Sequence, residues 1–113
     1  MTYGEIEAKV RTLVNDTESA AYRFSQADIF GFIVDAVRHL RNINPSEKYG
    51  GNGLLDEDIP TPDADADIRF APRHEEAVVK YAAHLVYQLD MTDSVNLQIS
   101  ETLRTRSEAL MQL

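Results

Sequence analysis

The residues that could do chemistry in this 113-residue chain are three histidines and a concentrated set of carboxylates. His74-Glu75 opens in the manner of the zinc-protease helix H-E-x-x-H. The position four beyond His74 is Val78, so the second imidazole ligand is missing. His39 and His84 fall on the polar faces of different helical segments, and all three histidines read as solvated surface side chains. Asp63-x-Asp65-x-Asp67 matches the first half of a calcium loop. That loop needs Gly at its sixth position for a sharp turn and a bidentate Glu at its twelfth. Here those positions hold Ile68 and His74, so no dedicated metal site is expected. Nucleophilic catalysis finds no Gly-x-Ser-x-Gly elbow, and Gly50-Gly51-Asn52-Gly53 lacks the Lys-Ser or Lys-Thr of a phosphate-cradling loop. With no cysteine, disulfides, thiol nucleophiles and thiolate metal sites are all removed. The expectation is a protein that is not an enzyme and takes no cofactor.

Charge points the same way. Eleven Lys and Arg face nineteen Asp and Glu, a formal charge of −8. Nucleic-acid wrapping or docking on an anionic membrane needs a basic patch, and the bases here are scattered among acids. Six of the acids, Asp56, Glu57, Asp58, Asp63, Asp65 and Asp67, lie between Lys48 and Arg69 with no base among them. Elsewhere thirteen acids meet eleven bases, so the remainder is nearly neutral. The start, MTYGEIEAKV, has neither the basic nor the apolar stretch of a secretory signal, and no apolar run approaches the roughly 20 residues of a membrane span. Length and a 43% apolar share predict one domain, 1–113, with a core of its own.

The elements expected to carry these groups are helical. Ile6, Val10, Leu13 and Val14 share an arc at helical spacing, with Tyr3 at its edge. Thr2 and Glu5 form a capping-box pattern, and Glu5–Lys9 and Glu7–Arg11 are i,i+4 pairs, which predicts helix 2–14. Ser25 and Asp28 repeat the box at the start of helix 25–41. Ile29, Phe32, Ile33, Ala36, Val37 and Leu40 centre its apolar face, and Phe30 and Val34 widen it to roughly 200°, the width of a central helix with several neighbours. Pro72 opens helix 72–90, with Val78, Val79, Ala82, Leu85, Val86 and Leu89 on one side. Helix 93–112, capped by Thr92 or Asp93, carries Val95, Ile99, Leu103, Leu110 and Leu113 as a stripe that Arg106 interrupts. Between the second and third helices lies a connector, 46–71, long for a small domain. Leu54-Leu55 and Ile68-Arg69-Phe70 could face each other there as a short β-hairpin. The fold class is all-α, a bundle of four helices with a long acidic loop.

Apolar side chains beyond the needs of one core suggest assembly. Phe30 and Val34 widen the second helix, and Leu97 and Met111 lie off the main stripe of the last. Arg106 could pair with a neighbour's acidic loop, or snorkel along its own helix.

The order of residues resembles the tailed-bacteriophage head-to-tail connector proteins. The resemblance rests on Leu13-Val14-Asn15-Asp16, then Tyr22-Arg23-Phe24-Ser25 with Asp28-Ile29, Asp35-Ala36, Leu40 and Pro45. Ile59-Pro60, Ile68 to Phe70, Tyr81-Ala82-Ala83 and Leu89-Asp90 are similar in layout, so the likeness spans nearly the whole chain. The six-acid loop departs from the pattern. Such proteins are small helical bundles forming rings, usually of twelve copies, beneath the portal at the capsid vertex, where they complete the head and seat the tail. The resemblance implies a structural virion protein, made in the bacterial cytoplasm. Its partners would be the portal protein, copies of itself, and tail or stopper proteins, with DNA passing through unbound and no membrane involved. Tyr22, Arg23, Phe24, Ser25 and Asp28 would then fix the second helix. The connector 49–70, with Arg104 and Arg106, would be contact surface. An acidic channel lining would repel DNA phosphates and let the genome slide. The alternative from another class is an acidic helical binding module, such as a DNA mimic that inhibits a nucleic-acid-binding protein. Its mark would be acids in a stripe along helices.

Overall fold

A computed structural model describes residues 1–18, 23–48, 59–89 and 94–113. Four helices follow in order: α1 Tyr3–Leu13, α2 Gln26–Ile43, α3 Glu75–Leu89 and α4 Ser94–Met111. The all-α class is as expected, with ends shifted by a residue or two. The third helix differs most at its start, because Pro72–His74 is a separate 3-10 turn. A second such turn, Pro45–Lys48, follows α2.

Local chemistry sets the helix ends. Thr2 Oγ1 accepts from the Glu5 N–H, and the Glu5 carboxylate accepts from the Thr2 N–H, closing a full capping box. At the other end of α1, Asn15 adopts φ 58°. The Asn15 N–H reaches the Thr12 carbonyl, and the Asp16 N–H reaches the Arg11 carbonyl at 2.8 Å. That pair of bonds is a Schellman motif built on Asn, which tolerates the left-handed region better than other non-glycine residues. Ser25 Oγ accepts from the Asp28 N–H to start α2. Asn44 donates its N–H to Leu40 O at the end, and Pro45 prevents continuation.

The core joins Tyr3, Ile6, Val10 and Val14 of α1 to Ile29, Phe30, Ile33, Ala36, Val37 and Leu40 of α2 and the apolar side of α3. α2 touches α1, α3 and α4, as the width of its apolar face implies, and α3 packs most extensively on α4 while also touching α2 and α1. Ala77, Ala82 and Ala83, all fully buried, let its neighbours approach closely. The width of α2 has another use, since Phe30 lies against the Tyr3 ring at a centroid distance of 5.2 Å. Leu13, expected inside, is 40% exposed. α1 and α4 make no contact.

The described part of the connector from residue 59 onward includes Ile68-Arg69-Phe70, one leg of the expected hairpin. It runs against the start of α1: Ile68 N–H donates to Met1 O, Tyr3 N–H to Ala66 O, and Gly4 N–H to Ala64 O. The Tyr3 hydroxyl donates to Pro60 O, and the Ile68 side chain enters the core. The first free N–H groups of α1 thus find carbonyl acceptors in the loop, a stronger arrangement than leaving them to water. The proposed partner leg, Leu54-Leu55, lies outside the described residues.

Candidate functional site

The motif that carries the family resemblance builds one polar junction. Arg11 is buried, with Nε donating to Glu7 Oε2 at 2.9 Å and Nη1 to Asp16 Oδ2 at 2.8 Å. Asp16 also accepts from the backbone N–H groups of Arg23 and Phe24. Arg23 Nη2 donates to Val14 O while its guanidinium lies over the Phe24 ring. Gln26 Nε2 donates to the second oxygen of Glu7. Asp16 therefore ties the end of α1 to the residues that open α2, and Ser25 and Asp28 complete the entry. Tyr22 lies outside the described residues. Sequence spacing identified the Glu7–Arg11 pair but not its burial. It also paired Glu5 with Lys9; instead Glu5 caps α1, and Lys9 reaches Glu75 of α3.

Two of the three histidines, His74 and His84, depart from the expected solvated state and are buried. His74 is fully buried because Glu47, 27 residues earlier, receives it: Nδ1 lies 2.7 Å from Glu47 Oε1. The other oxygen of Glu47 accepts from the Ala71 N–H. Asn44 fixes the far side of the ring. Its Oδ1 accepts from Ser46 Oγ and its Nδ2 donates to Met111 O, so the amide turns its N–H toward His74 Nε2, at 3.4 Å. Nε2 is therefore the acceptor and Nδ1–H donates to Glu47. A carboxylate-oriented imidazole of this kind could serve as a base, but here its free nitrogen is closed by Asn44. It acts as a fastening between chain segments.

His84 is likewise buried, on α3. Ser100 Oγ donates to His84 O at 3.1 Å, which leaves His84 Nδ1–H to donate to Ser100 Oγ at 2.6 Å and Ser100 O at 3.0 Å. Loss of water on burial is the main cause that holds its pKa below the usual imidazole value. The bond to Ser100 O, Glu101 and Glu108 oppose that shift, and Arg104 adds to it. His39, at the surface, stacks on Tyr81 at 4.4 Å and meets Glu108 Oε1 at 3.2 Å. Tyr81 also meets His84 edge-on. Burial is the main cause that raises the Tyr81 phenol above its usual value, with Glu108 and Asp35 adding and Arg104 opposing.

The candidate interface residues separate into three groups. Phe30 is buried against Tyr3, and Val34, half-buried, packs on the core with part of its surface exposed. Asp63, Asp65 and Asp67 are exposed: Asp63 accepts from the Asp65 N–H, and Asp67 pairs with the terminal amine. Asp56, Glu57 and Asp58 lie outside the described residues. On α4, Leu97 is 44% exposed, Arg104 pairs with Glu101, and Arg106 borders a shallow hollow with Glu101, Thr102 and Thr105. Arg106 interrupts no buried stripe, because the inward line of α4 is Ser100, Leu103, Ser107 and Met111. Ile99 and Leu113 face out, and Met111, expected off the stripe, is fully buried. A groove of about 420 Å³ between α1 and α3 was not anticipated; Leu13 and Val79 floor it, and Lys9, Glu75, Glu76 and Lys80 surround them.

Among the described residues no three His, Asp or Glu side chains converge on a point that could hold a metal ion. No helix there is long and apolar enough to cross a membrane. In comparisons with known proteins, no family model, curated protein or solved structure matches the chain.

Proposed function

We propose that this chain is a structural subunit of a phage head-to-tail adaptor, assembling with copies of itself into a ring between portal and tail. The observation that carries the reading is the nature of the resemblance motif. Its described members, Asp16, Arg23, Phe24, Ser25 and Asp28, fasten one helix to the next by hydrogen bonds, a packing role suited to a structural family. Two exposed apolar sites on helices that do not touch add to it: Leu13 on α1, and Leu97 with Ile99 on α4. A ring requires two unlike patches, one for each neighbour. The DNA-mimic alternative draws less support. Glu76, Glu101 and Glu108 each face a base or imidazole on the helical surface, which interrupts any acidic stripe.

The test mixes the purified chain with the portal ring encoded beside it and weighs the products by native mass spectrometry. A portal carrying a full ring of subunits supports the proposal. No binding to the portal, with tight binding to a nucleic-acid-binding protein, would reverse the ranking.

A further inference from the structure

The chain has three histidines, and every one of them sits where α4 is fastened to the rest of the molecule. His84 of α3 holds Ser100 near the start of α4. His39 of α2 holds Glu108 in its last turns. His74 backs Asn44, which holds the carbonyl of Met111 at its end. Among the described residues these are the side-chain hydrogen bonds that join α4 to the other elements. Among the described side chains of α4, Ser100 and Ser107 are buried beside Leu103 and Met111, and Leu110 packs on the core.

We propose that protonation at the His84 seam loosens α4 from α3 in mild acid while α1, α2 and α3 stay packed. The seam is built for an uncharged ring, whose Nδ1–H donates to Ser100 Oγ and Ser100 O while Ser100 Oγ donates to His84 O. A proton on His84 would place a charge in a buried site, facing Ser100, Glu101, Arg104 and Glu108 of α4 and Tyr81 of its own helix, with His39 and Asp35 beyond Tyr81. Burial already biases His84 toward the neutral form.

Hydrogen exchange on the intact chain at pH 7.5 and 5.5, corrected for the intrinsic exchange rate, tests the proposal. Acid should lower protection in α4 severalfold, with α1 and α2 little changed. A His84→Asn chain, whose Nδ2 stands where Nδ1 of the imidazole donates to Ser100 O, should lose at least about two-thirds of that response. Equal loss across all four helices, or α4 protection independent of pH, overturns the proposal. The wild-type measurement decides it even if the variant does not fold.

Discussion

Asp16 is the side chain on which the junction between α1 and α2 turns, because it serves a buried guanidinium and two backbone N–H groups together. Asp16→Ala should cost about 3 kcal/mol in urea denaturation, the range for breaking a buried ion pair on one side. Asp63→Ala, at an exposed turn, should stay within about 0.5 kcal/mol. Two helical glycines make a sharper comparison. A Cβ on Gly4 would stand 3.0 Å from Ala64 O, whereas one on Gly31 meets nothing within 4 Å. Gly31→Ala should therefore stabilise by up to about 1 kcal/mol, the propensity difference alone. Gly4→Ala should lose that gain and loosen 59–68 from α1, readable as raised exchange at the Gly4 and Ile68 amides.

At the scale of elements, the histidine contact between α3 and α4 makes stability depend on pH. His84 has a folded pKa below its unfolded value near 6.5, so the unfolded chain binds more protons between the two. Its stabilising contribution is complete above about pH 6.5 and falls as pH drops through that window toward the folded pKa. Denaturation midpoints should decline with acid there, and His84→Asn should flatten the slope. Why α4 was misread from sequence follows from the same seam. Ser100 and Ser107 are buried while Ile99 and Leu113 face out, so of the apolar stripe only Leu103 and the partly buried Leu110 turn inward among the described side chains. α1 and α2 were legible because caps and apolar spacing are local signals. The buried histidines were not, because a polar side chain goes inside only when a partner meets it. Glu47 and Ser100 lie 27 and 16 residues from His74 and His84. Nor did 59–68 announce its docking, since backbone N–H and carbonyl groups make those bonds whatever the side chains are.

At the scale of the whole molecule, the helical body exposes two separate apolar sites, and its sequence concentrates acid in the connector. The groove floored by Leu13 and Val79 and the outer face of α4 near Leu97 are suited to contact different neighbours, as a closed ring demands. Leu13→Asp and Leu97→Asp change exposed positions and should leave the monomer folded, with circular dichroism unchanged. Each should nonetheless weaken ring formation about tenfold or more, since a charge would be buried at a subunit contact. The most direct measurement is electron microscopy of the chain bound to its portal. The account predicts a closed ring of subunits seated on the portal, with contacts through α1 and α4. A portal that stays bare at saturating concentrations of a folded chain would contradict it.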